Sequence, residues 1–185
     1  MVRLLMFAVT VVALFSSACG GKKTAPKAVA GVPAEAFAPL TEDDVARFVK
    51  ALPAVVEYLS WRGNASGEGL HARDDAAKLL ATNIEPIQKT EGIDSVLAAN
   101  GADWPFFRAM LYRLSACAWE VGLEGGDEQE QRLIRSQPTK AMASAQRNRL
   151  KQMKEIVAAV PAANVEVFKR HYRELRSFMS IVGSD

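Results

Sequence analysis

Beyond Leu40 apolar residues recur at intervals of three and four, the spacing that lines up side chains on one face of an α-helix. Val45, Phe48, Leu52, Val56 and Leu59 form the first series. Thr41 stands just ahead of Glu42, Asp43 and Asp44, a hydroxyl cap followed by acidic side chains that suit the positive end of a helix dipole. The pattern predicts a helix from Thr41 to about Trp61. Pro53 lacks a backbone donor and crowds the preceding turn, so a kink or break is expected near Ala51. A second helix is predicted from about Ala72 to Lys89, burying Ala77, Leu80, Ile84 and Ile87, with Pro86 disturbing its last turn. A short third helix, Asp94 to Ala99, ends at Asn100-Gly101, a pair suited to the left-handed conformation that closes helices.

Asp103 caps the fourth helix, where Pro105 is tolerated because first-turn amides have no helical partner. Trp104, Phe106, Phe107, Met110, Leu111, Leu114, Ala118 and Val121 cover more than one stripe of it, which predicts burial on several sides. After the polar break at Gly125-Gly126, Asp127 and Glu130 have capping-box spacing and start a fifth helix. Pro138 restarts it, and it continues through Leu150, Met153, Val157 and Val160 to a turn at Pro161. The sixth helix has the most regular series, Val165, Phe168, Tyr172, Leu175, Met179 and Val182. No strand pattern or internal repeat is evident. The prediction is an all-α bundle of five to six helices ending in an antiparallel helical hairpin, with no sheet.

The first twenty residues follow another rule. Arg3 precedes an apolar run from Leu4 to Phe15, and the small residues Ser16, Ser17 and Ala18 lead into Cys19, the layout of a secretory signal. The run is too short to span a bilayer, which takes about twenty apolar residues. Phe15-Ser16-Ser17-Ala18-Cys19 resembles the lipobox of bacterial lipoproteins, although Ser16 stands where most of them carry Leu. The resemblance implies cleavage ahead of Cys19, acylation of its sulfur by fatty acids such as palmitate, and, with Gly20 in place of Asp, the outer membrane. Ser16-Ser17-Ala18 also suits the ordinary signal peptidase, so plain cleavage stays open on these residues. Residues 20–40 hold three prolines and Lys22, Lys23 and Lys27 without helical periodicity, and read as a tether. The expected organisation is a signal peptide over 1–18, the lipidated Cys19 with its tether over 19–40, and a helical domain over 41–185.

Composition narrows the chemistry. The chain has 23 Lys plus Arg against 21 Asp plus Glu. So near-neutral a balance gives no case for nucleic acid as a partner. The thiols are Cys19 and Cys117; the latter shares a helix face with Met110, Leu114 and Val121, which predicts a buried small hydrophobe. One stretch is asymmetric: from Lys140 to Arg176 there are nine Lys or Arg and three acids. Arg147, Lys151 and Lys154 on one helix, with Lys169, Arg173 and Arg176 on the next, form a candidate interaction surface for lipid phosphates, cell-wall polymer or an acidic partner.

Catalytic signals are sparse. His71 precedes Asp74 and Asp75, and His171 precedes Glu174, at helical offsets, but two separate histidines do not supply the three or four ligands of a zinc site. Gly63 to Gly69 contains Ser66 without the Gly-x-Ser-x-Gly order of a nucleophile elbow. No cofactor or metal motif is evident. The expectation is an outer-membrane lipoprotein facing the periplasm that binds as an adaptor or envelope-assembly protein and is not an enzyme. A carrier enclosing an apolar ligand around Trp104, Phe107 and Met110 is the alternative, and a hydrolase-like enzyme using His71 with Asp75 a third.

Overall fold

The computed structural model describes residues 29–62, 76–82, 84–124, 126–175 and 178. The fold is all-α, and the described residues contain no strand. Eight α-helices follow in order among them: α1 (Glu42–Arg62), α2 (Ala76–Thr82), α3 (Glu85–Gln88), α4 (Ile93–Ala99), α5 (Trp104–Leu123), α6 (Gly126–Arg135), α7 (Lys140–Val157) and α8 (Ala162–Arg170). The number exceeds six because two of the expected helices are divided. The segment read as one helix from Ala72 to Lys89 is described as α2 and α3, with Pro86 in the first turn of α3, where its missing N–H costs nothing. The fifth is divided into α6 and α7, the latter newly capped by Thr139, whose hydroxyl accepts from the Met142 amide at 3.1 Å.

α5 occupies the middle of the core. Asp103 caps it as expected, accepting from the Phe106 amide at 2.8 Å. Phe107, Met110, Leu111, Leu114 and Cys117 have no exposed surface, as a helix without a polar stripe requires. Packed on it are α1, α4, α7, α8 and a short 3-10 helix, Ala34–Phe37. Phe107 stacks on Phe48 of α1, ring centroids 4.7 Å apart, and Phe48 also meets Phe178 edge-on at 5.9 Å.

α1 runs through Pro53 as one helix, so of the kink or break expected near Ala51 the break does not occur. Pro53 is on the exposed side, while Phe48, Ala51, Leu52, Val55 and Leu59 are buried on both sides of it. That continuous contact outweighs the lost backbone bond. Thr41 caps the helix: its hydroxyl accepts from the Asp44 amide at 3.1 Å, and its own amide donates to the Asp44 carboxylate at 3.3 Å. α4 ends at Gly101 with φ +76°, the expected left-handed closure. It begins at Gly92, φ +83°, where a Cβ would lie 2.6 Å from the Tyr58 hydroxyl. That hydroxyl donates to the Glu91 carbonyl at 2.7 Å, so the site needs both the conformation and the space of glycine.

The largest correction concerns the tether. From Val29 onward it belongs to the fold: Ala36, Phe37 and Leu40 are buried, and Val29 and Val32 pack against the same core. The buried residues of the 3-10 helix, Ala36 and Phe37, are adjacent in a single turn, too short a run to show helical periodicity. Asn164 of α8 fastens this segment. Buried to 1% exposure, it accepts from the Leu40 amide at 2.8 Å and donates to the Ala38 carbonyl at 2.9 Å. Arg108 and Arg113 of α5 add an ion pair to Glu35 at 3.0 Å and a bond to its carbonyl at 3.1 Å.

α7 and α8 both lie on α5. The predicted sixth helix stops at Arg170 and gives way to turns over 171–175. Tyr172 accordingly leaves the buried face and is 47% exposed, while Leu175 and Phe178 enter the core. Met179, Val182, the His71 region and the first 28 residues lie outside the described residues.

Truncating Phe37 tests the enlarged domain. Phe37→Ala is expected to lower unfolding free energy by about 3 to 4 kcal/mol, as for a filled core site, in urea titrations followed by circular dichroism. An unchanged midpoint would return residues 34–37 to the tether.

Candidate functional site

The candidate basic surface is built on α7. Lys140, Arg147, Lys151 and Lys154 are separated by seven, four and three residues, which puts them on one side of a helix. The row is about 21 Å long at 1.5 Å per residue. Apolar contacts turn this side outward: Leu150, Ile156 and Val157 are buried, and Gln152 accepts from the Ala76 amide of α2 at 2.9 Å. Lys140, Arg147 and Lys151 are exposed and form no ion pair among the described residues. Lys140 was absent from the surface expected from the sequence; its offset of seven from Arg147 was the signal available.

The other members behave differently. Lys154 pairs with Glu130 of α6 at 2.6 Å, which holds its ammonium pKa above the ordinary range. Glu130, expected to close a capping box with Asp127, is used for this contact, and Asp127 lies inside the first turn of α6. Lys169 pairs with Glu124 at 2.5 Å and is likewise raised. Lys154 borders a depression of about 310 Å³ lined also by Glu120, Leu123, Glu124, Val157 and Ala158. Where α5, α7 and α8 approach, the lysines thus face carboxylates. Arg173 is exposed in the turn after α8, and Arg176 lies outside the described residues, as does Cys19. The free members of the candidate surface among the described residues are therefore Arg147 and Lys151 on α7, with Lys140 in line with them, and Arg173 after α8.

A second charged cluster joins α8 to the start of α1. His171 faces two carboxylates: Nδ1 is 2.8 Å from Glu174, and Nε2 contacts Glu42. Arg170 donates to the same Glu42 through Nε at 2.9 Å. A neutral imidazole has one N–H and cannot donate to both carboxylates, so the arrangement favours the imidazolium. Glu174 first, then Glu42, raise the His171 pKa above its ordinary value, and His171 with Arg170 lowers that of Glu42. Glu42 and His171 are 129 residues apart, and no local pattern pairs them.

Cys117 is fully buried, and burial pushes its thiol pKa up to about 12, the inert behaviour of a packed hydrophobe. Phe107 and Met110 have no exposed surface, and Trp104 lies beside Phe107 with centroids 6.5 Å apart. His71 and Asp75 are outside the described residues. No group of three or more His, Cys, Asp or Glu among the described residues is placed to hold a metal ion.

Two outcomes are expected from this geometry. Because His171 has a raised folded-state pKa, its contribution is complete below the unfolded value near 6.5 and fades as pH rises through the folded value. Glu42, with a lowered pKa, contributes above its unfolded value and fades in acid. The stability advantage of the native chain over His171→Gln should therefore be greatest at mildly acidic pH and decline toward pH 9 in urea titrations; a pH-independent difference would contradict the imidazolium assignment. Cys117 should resist thiol reagents at pH 8 in the native protein and react upon unfolding, whereas fast native labelling would contradict its burial.

No protein-family model, curated protein or solved structure matches this chain.

Proposed function

We propose that the chain is a bacterial envelope lipoprotein, acylated at Cys19 and held at the outer membrane, whose periplasm-facing helical body works by binding as an adaptor or assembly protein. The observation that carries this reading is the order Arg3, apolar run, Ser16-Ser17-Ala18, Cys19 ahead of a folded body. The body adds two supporting facts. No helix among the described residues is long and apolar enough to cross a membrane, which fits attachment through the amino-terminal cysteine. Its other thiol, Cys117, is buried in the core, leaving Cys19 as the sulfur available to acyl chains.

Physically, a buried acyl chain contributes about 0.8 kcal/mol per CH2, and more than one chain is needed for stable attachment. The remaining link is short. From Cys19 to Val29 the chain spans at most about 35 Å when fully extended, which keeps the body near the headgroups.

Metabolic labelling with palmitate, followed by membrane fractionation, tests the anchor. The native chain should take up label and sediment with outer membranes. Cys19→Ser should take up none and move to the soluble fraction, because Ser16-Ser17-Ala18 still permits cleavage by the ordinary peptidase. Membrane retention of the unlabelled variant, or absence of label on the native chain, would refute acylation as the anchor.

A further inference from the structure

We infer that the exposed basic row of α7, Lys140, Arg147 and Lys151, is the surface this domain lays against anionic phospholipid headgroups. The inference rests on the anchoring of Cys19 proposed above.

Two observations select lipid. The first is charge: three cations without ion-pair partners among the described residues lie on one side of a helix whose opposite side is fixed in the core. Neighbouring Lys154 is already neutralised by Glu130, so an anionic ligand would meet the upstream part of the row. Glu155 is the one acid on the exposed part of α7. The second is where the link ends. Gly31 packs against α2, with a Cβ position only 3.1 Å from the Ala77 methyl. The preceding amide, Ala76, is bonded to Gln152 of α7 at 2.9 Å, and Gln152 adjoins Lys151. A lipid on Cys19 thus draws the body down by the side from which the α7 row is reached.

A row of three cations binds a charged membrane weakly when free. Each basic side chain at an anionic surface strengthens binding by roughly fivefold. Tethering makes such weak contacts effective by raising the local concentration. The row orients a body that the acyl chains retain.

The test places the mature chain, from residue 19, on vesicles by coupling Cys19 to a maleimide-bearing lipid; buried Cys117 does not compete. Amine acylation is then followed residue by residue by mass spectrometry on phosphatidylglycerol-rich and on phosphatidylcholine vesicles. Lys140 and Lys151 should react several-fold more slowly on the anionic vesicles, with Lys50 of α1 much less affected. The contrast should shrink in Arg147→Glu and vanish in high salt, where surface charge is screened. Equal rates on the two vesicles would overturn the inference and leave the row to an acidic protein. Equal slowing at Lys50 and Lys151 would overturn it as well, since the membrane would then cover no particular face. Chemical coupling supplies the anchor, so the outcome is independent of acylation in cells; failure of palmitate labelling is a separate result.

Discussion

The need to bury α5 on nearly every side organises this protein. Its twenty residues carry apolar groups around most of the circumference. A helix of that composition is stable in water only when enclosed, each fully buried large side chain contributing roughly 1.5 to 3 kcal/mol. The rest of the chain supplies the enclosure. α1 and α4 cover one part, α7 and α8 another, and the 3-10 helix at Ala34–Phe37 fills what they leave. The shorter elements depend on that contact, since isolated helices under about 12 residues are marginal by themselves. α4 and α8 fall in this class.

Charge is arranged around this core by connecting distant segments. Glu42 of α1 meets Arg170 and His171, Glu35 meets Arg108, Glu124 meets Lys169, and Glu130 meets Lys154. Exposed pairs of this kind contribute little stability each, up to about 1 kcal/mol. What they do is set which cations are engaged inside the fold. Lys140, Arg147 and Lys151 remain outside that network, which gives the α7 row a meaning that the bare excess of basic residues between Lys140 and Arg176 does not have. Buried polar groups follow a stricter rule. Asn164 satisfies both a donor and an acceptor of the segment that precedes α1, and this ties residues 38–40 to α8 across the body.

Helical content, the cap at Asp103, the closure at Gly101 and the burial of Cys117 could all be read in the chain, because each depends on residues within a few positions of one another. So could the central place of Trp104 to Val121, where apolar residues on more than one stripe imply enclosure. The candidate site was half legible. Spacing alone put Arg147, Lys151 and Lys154 on one face, but it had no means of showing that Glu130 neutralises Lys154 or that Glu124 neutralises Lys169. The reading of residues 20–40 as tether failed where Phe37 and Leu40 enter the core, since a single 3-10 turn is too short to show a period.

By itself, then, the chain determined that it is α-helical, where α1, α4 and α5 begin and end, and which helix is enclosed, since those properties arise from propensity, capping and periodicity over short spans. Tertiary structure decided that α1 continues through Pro53, that residues 29–40 belong to the body, that His171 faces Glu42, and which lysines remain open. Each depends on contacts between segments far apart in the chain, whose energies enter only when the core brings them together.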